Sequence, residues 1–172
     1  SFEGHYQGSP WAAFNALSHA NPTPYAAFLR FRGNAVVSVS PERFLAIRDG
    51  VIETSPIKGT RARGQNPEQD EALAQELLAS EKDRAENLMI VDLLRNDLSV
   101  HALPGSVSVD ELFALESYRN VHHLVSHIRA KLKPGISPLQ ALFDAFPGGS
   151  ITGAPKIRAM EIIAELEPHW RG

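Results

Sequence analysis

The sequence has no cysteine, which excludes disulfides, thiolate catalysis and cysteine-based metal sites. It has no run of about 18 apolar residues, so no membrane-spanning helix is expected. Lysine and arginine nowhere form a long basic stretch and the formal net charge is −3, which argues against nucleic acid as a partner. The opening SFEGHYQGSP has no basic head followed by an apolar stretch and does not read as a secretory signal. A cytoplasmic protein is therefore expected. Internal repeats and low-complexity tracts are absent, and so is the HxxH or HExxH spacing that zinc uses.

Hydrophobic residues make up 43% and charged residues 22% of the 172 positions, an ordinary globular balance. That length suits one domain and can bury roughly 70% of the unfolded surface. The chain opens on Ser1 rather than Met, and we expect residues 1–172 to be one partial domain of a longer protein.

The pattern along the chain is strands first and helices later. Trp11 to Ala20 reads as a short helix ended by Asn21-Pro22-Thr23-Pro24. Ala26 to Arg32 and Ala35 to Ser40 read as strands around Arg32-Gly33-Asn34. Phe44 to Ile47 and Val51 to Thr54 read as a second pair around Arg48-Asp49-Gly50, where Asp-Gly is a strong hairpin signal. Gly59 to Gln69 is a polar segment expected to be a loop. One long helix is expected from about Asp70 to Arg95, with Leu73, Leu77, Leu88, Val91 and Leu94 as its apolar stripe. Ser106 to Val109 and Val121 to Lys133 read as strands. Ser137-Pro138 should open a helix that ends near Phe146. A last helix should open at Pro155 and turn Ile157, Met160, Ile163 and Leu166 to the core. The fold class expected is α+β, with antiparallel β-sheets packed between helices.

Several places can carry chemistry. In TSPIKGTRARG, Lys58 is expected at the end of a strand. A lysine desolvated by sheet neighbours becomes a neutral amine able to attack carbon. Gly59 would let the backbone approach a ligand, and Thr60 could hydrogen-bond it. The alternative is a solvated lysine before a turn. Glu42 lies sixteen positions earlier in SPERF, where a hairpin would bring it toward Lys58 as a proton donor; otherwise it pairs with Arg43 or solvent. Asp83 and Glu86 are three apart, on one helix face, and could hold Mg²⁺ or belong to a solvated charged face. PGGSITGAPK, Pro147 to Lys156, is a glycine-rich loop entering a helix and suits an anion. It is no nucleotide loop, since Ala154-Pro155 stand where that motif needs Lys-Ser/Thr. His122, His123 and His127 alternate along one strand, and the pattern does not choose among them.

Taken in order, SPERF, PIKGTRARG, KDRAENLMIVDLLRND, GSVSV, VHHLVS, FPGGSITGAPKIRAMEII and ELE resemble the chorismate-using enzymes. The resemblance implies a member making anthranilate, aminodeoxychorismate, isochorismate or salicylate. Anthranilate-forming members resemble PIAGT where this chain has PIKGT, so Lys58 favours those making 4-amino-4-deoxychorismate for para-aminobenzoate and folate. The alternatives are an anthranilate-forming member or a non-catalytic module that binds chorismate or a partner. The resemblance also implies site roles: Lys58 as covalent nucleophile, Glu42 as acid, His123 as the active-site histidine, and Gly59, Thr60 and Ser150 at the substrate. It further implies Mg²⁺ on Glu86 with Asp83 nearby, and ammonia from a separate glutamine amidotransferase subunit. Family members continue past Arg171-Gly172 and take a second metal glutamate from there. Residues 1–172 alone would therefore lack full activity.

Overall fold

In the computed structural model, residues 4–153 and 155–167 are described. The chain divides into two compact units, one up to Arg43 and one starting at Phe44.

The first unit holds helix α1 (Pro10–Ala20) and a two-stranded antiparallel sheet of β1 (Tyr25–Phe31) and β2 (Asn34–Ser40). Phe31 pairs with Asn34 across the turn. Trp11, Phe14 and Phe28 pack ring to ring, with Trp11 edge-on to Phe28 at 5.1 Å. These aromatics supply the contact between α1 and the hairpin, while Leu17 is exposed.

The second unit is built on a five-stranded antiparallel sheet: β3 (Arg43–Arg48), β4 (Val51–Ser55), β5 (Ile57–Ala62), β6 (Ser108–Ser117) and β7 (Val121–Lys131). The β3–β4 turn is Asp49-Gly50, with φ of 51° and 74°. Two residues in the left-handed region match the strand twist, which is why Asp-Gly marks a hairpin. β7 is the central strand. One edge pairs with β6. The other pairs with β4 along Ile128 to Lys131 and with β5 along Val121 to Val125. Between these two runs the Ser126 N–H donates to Pro56 O at 3.2 Å.

Helices α2 (Pro67–Ala79) and α3 (Glu81–Ser99) cover one face of this sheet. The core there joins Ile52 of β4, Ile128 and Ala130 of β7, Ile90, Val91, Leu94 and Leu98 of α3, and Ala141 of α4 (Pro138–Ala145). A four-residue turn of helix, α5 (Gly149–Thr152), and α6 (Lys156–Leu166) follow. Among the described residues no helix is long and apolar enough to cross a membrane.

Several expectations are corrected. The single helix from Asp70 to Arg95 is two helices. Ser80 breaks it, with extended backbone at φ −68° and ψ 106°, and its Oγ accepts from the Asp83 N–H to start α3. Leu77, Val91 and Leu94 are buried as expected, but Leu88 is exposed and Asn87 takes the inward position. The segment Gly59 to Ala62 is strand, not loop. Its polar look arises because Arg61 pairs with Glu76 of α2 and Asp83 of α3. Strand β6 runs eight residues past Val109. Helices α4 and α6 begin where the prolines placed them, yet Ile157, Met160 and Leu166 of α6 are exposed.

Candidate active site

Lys58 is the second residue of β5 rather than the end of a strand. Ile57 opposes Val125 and Thr60 opposes His123, and the register shifts between them. Three steps on β5 therefore match two on β7, so β5 carries one extra residue. Such a bulge re-aims side chains and is common beside active sites. Lys58 and Gly59 form it. Lys58 is half-buried, and its amine makes no hydrogen bond or ion pair with the other described residues.

Gly59 has φ +94°. A Cβ on it would lie 2.9 Å from both Asp83 Cβ and Leu77 Cδ1. The close approach that this glycine permits is thus to the α2–α3 junction, which presses the bulge against the helices. The place expected for a ligand is filled by protein on that side.

Thr60 and His123 face each other across β5 and β7. Thr60 Oγ1 bonds His123 Nδ1 at 2.9 Å. His123 is 8% exposed, and its ring meets Tyr118 edge-on with centroids 5.6 Å apart. The sheet separates the three histidines that the sequence could not. His122, 3% exposed, points to the helix-covered face, where Nε2 meets Asp70 Oδ1 at 3.0 Å and Nδ1 meets Ser117 Oγ at 2.7 Å. His127 bonds Ser55 Oγ and Glu116. Thr60, His123 and His127 alternate onto the opposite face of the sheet.

Asp83 and Glu86 lie on one side of α3, but their surroundings differ. The Asp83 carboxylate is 3.2 Å from Arg61 Nη2. Arg61 is held more firmly cationic than usual by Glu76 first and Asp83 second. Glu86 is exposed, and its carboxylate makes no hydrogen bond or ion pair with other described residues. Mg²⁺ needs few protein oxygens and keeps several waters, so the Glu86 carboxylate fits it, whereas Asp83 is already paired with Arg61. Among the described residues no three His, Asp or Glu gather into a metal cluster.

Ser150 is half-buried in α5. The two glycines before it are packing positions. A Cβ at Gly148 would meet Phe44 Cε2 at 2.8 Å, and one at Gly149 would meet Leu93 Cδ2 at 2.5 Å. Lys156, at the head of α6, turns to Asp97 of α3 at 2.7 Å. Ala154 of this loop lies outside the described residues.

Glu42 belongs to the first unit. It sits in the two-residue link between β2 and β3, where its N–H donates to Ser40 Oγ at 3.1 Å. The sequence reading missed Arg61, Asp70, Glu116 and Tyr118. The first two sit in or beside the Arg-rich string after Lys58, and that clustering of charge was the available signal.

The chorismate binding enzyme family matches residues 1–172. Aminodeoxychorismate synthase component 1 of Salmonella typhimurium is 55% identical over 170 residues, which is 99% of this chain and 37% of that protein. The chloroplastic aminodeoxychorismate synthase of Arabidopsis thaliana is 54% identical over 167 residues, covering 95% of this chain and 18% of that one. Among solved structures, anthranilate synthase component I from Streptococcus pneumoniae is similar with a TM-score of 0.84 at 37% identity, over 97% of this chain and 36% of that one. The chain thus spans little more than a third of the Salmonella protein and of the Streptococcus enzyme. Matched along its whole length, this chain belongs to the chorismate binding enzyme family.

Proposed function

We propose that this chain is the nucleophile-bearing part of a cytoplasmic enzyme that converts chorismate and ammonia to 4-amino-4-deoxychorismate. The observation that carries the reading is Lys58, held half-buried in a sheet bulge with its amine unpaired among the described residues. It sits in a sequence 55% identical to an aminodeoxychorismate synthase component 1. The anthranilate-forming alternative has weaker support, because its solved representative is 37% identical.

In the first step the Lys58 nitrogen bonds to the chorismate ring as the C4–O bond breaks. Glu42 gives its proton to the departing hydroxyl, which leaves as water, and recovers one from the new ammonium. Ammonia then bonds to the ring at the former hydroxyl position as the bond to Lys58 breaks. His123, steadied at Nδ1 by Thr60, passes the proton shed by ammonia to the lysine nitrogen. Ser150 contacts the substrate. Glu86 would be among the ligands of a bound Mg²⁺, which would supply charge neutralisation at the ring carboxylate. A separate amidotransferase releases the ammonia from glutamine, which suits relatives named as component 1.

The test is product analysis on the full-length protein given chorismate, Mg²⁺ and ammonium. We expect 4-amino-4-deoxychorismate by mass spectrometry, a chorismate-derived adduct on Lys58, and loss of both in Lys58→Ala. An undiminished rate with unchanged product in that variant would reject the covalent role. Binding of chorismate with no product at all would favour a non-catalytic module.

A further inference from the structure

Four side chains without a role so far form a continuous line of contacts ending on His123. Ser55, 7% exposed at the end of β4, bonds His127 Nδ1 through Oγ at 3.0 Å. His127 Nε2 meets Glu116 Oε1 at 3.1 Å. The other oxygen of Glu116 accepts a hydrogen bond from the Tyr118 hydroxyl. The Tyr118 ring then stands edge-on to the His123 imidazole, while its N–H donates to Val121 O at 2.8 Å and fixes its backbone at the β6–β7 turn.

His123 is therefore gripped twice, at Nδ1 by Thr60 and across its ring by Tyr118. A tyrosine that touched His123 only by stacking could turn about its side-chain bonds. One whose hydroxyl is tied to a carboxylate, itself tied at its second oxygen, cannot. Glu116 also lies directly opposite His123 in the β6–β7 pairing, so the anchor and the anchored ring share one rung of the sheet. We propose that Tyr118 and Glu116 are positioning residues that fix the imidazole plane of His123 for proton transfer. The assignment rests on the role given to His123 above. It adds two residues that act through His123.

The experiment uses full-length protein in two measurements. The first is steady-state turnover of chorismate with ammonium and Mg²⁺ by wild type, Tyr118→Phe, Glu116→Gln, His123→Ala and the Tyr118→Phe/His123→Ala pair. Tyr118→Phe removes one oxygen and keeps the ring, so it should fold as wild type does. We expect kcat to fall by roughly tenfold to a hundredfold with KM unchanged, as for a misplaced catalytic group. In the His123→Ala background the tyrosine change should have no further effect. The second is the imidazole ¹⁵N spectrum of histidine-labelled protein, where both Tyr118→Phe and Glu116→Gln should move the His123 resonance. A tyrosine effect that persists without His123, or an unmoved His123 resonance, overturns the proposal. A moved resonance in a protein that makes no aminodeoxychorismate upholds the positioning while the reaction assigned above falls.

Discussion

His122 and Asp70, 52 residues apart in sequence, meet at 3.0 Å between Nε2 and Oδ1. Asp70 is a hub. Arg63 approaches it with Nε at 2.8 Å and Nη2 at 2.6 Å, and the Gly64 N–H donates to it at 2.7 Å. Through this one carboxylate, the end of β5, the start of α2 and the central strand β7 are fastened together. Arg63 reaches on to Tyr118 O at 2.7 Å, so the β6–β7 turn beside His123 is tied to the same point.

A pH dependence of stability follows from Asp70. The Arg63 guanidinium first, then the Gly64 N–H and His122, hold its carboxyl far below the usual carboxylate range. A depressed folded-state pKa contributes stability above the unfolded value of about 4, and that contribution is lost as pH falls further. Asp70→Asn cannot have it. Thermal melts should show Asp70→Asn well below wild type at pH 7, with the gap narrowing steadily below about pH 4. Parallel melting curves across that range would contradict the hub.

Gly59 yields a prediction that separates packing from ligand binding. Alanine there must adopt φ +94° and place its Cβ 2.9 Å from Asp83 and Leu77. Strain and overpacking each cost about 1–3 kcal/mol. Gly59→Ala should therefore lower unfolding free energy by about 2–6 kcal/mol in urea titration. Were that side of the glycine open for substrate, only the backbone strain would remain, a loss of about 1–3 kcal/mol, together with weaker substrate binding.

Asn87 is wholly buried, which is unusual for an amide on a helix. Its Nδ2 donates to Leu124 O at 3.1 Å, its Oδ1 accepts from Ser126 Oγ at 2.6 Å, and Ser126 in turn accepts from the Phe113 N–H at 3.1 Å. This line fixes the rotation of α3 against β7, and with it the side of the helix that bears Glu86. Asn87→Ala leaves a cavity and strands several partners, so a loss of about 2–4 kcal/mol is expected by chemical denaturation. A change below about 1 kcal/mol would mean that water replaces the amide at no cost.

How much of this was legible depended on the range of the interactions. The hairpins at Arg32-Gly33 and Asp49-Gly50 and the helix start at Ser137-Pro138 were readable because a few adjacent residues decide them. The break at Ser80 was not, since strong helix formers stand on both sides and only the Ser80 cap on the Asp83 N–H gives it away. Strand β5 looked like a loop because the partners that neutralise Arg61 come from helices further along the chain. The lysine was legible as a residue type, but its bulge was not, because a bulge exists only relative to the strand it pairs with. The adjacent histidines show the same limit. Alternation put them on opposite faces, and only the assembled sheet reveals that one anchors a helix while the other faces Thr60.

The contact between Lys156 and Asp97 gives the last prediction. Asp97 is near the end of α3 with its side chain 10% exposed, and Lys156 holds its Oδ1 at 2.7 Å. The second oxygen is buried without a hydrogen-bond partner among the described residues. A largely buried carboxylate with one partner depends on that partner, because removing it leaves a poorly solvated charge. Lys156→Met should therefore destabilise by about 3 kcal/mol or more, with α6 the first element to lose amide protection in hydrogen exchange. Changing both residues, Lys156→Met with Asp97→Leu, removes the stranded charge along with its partner and should recover much of the loss. If the double variant is as unstable as the single one, the cost comes from lost packing by the lysine stem, and the ion pair does not tether α6 to α3.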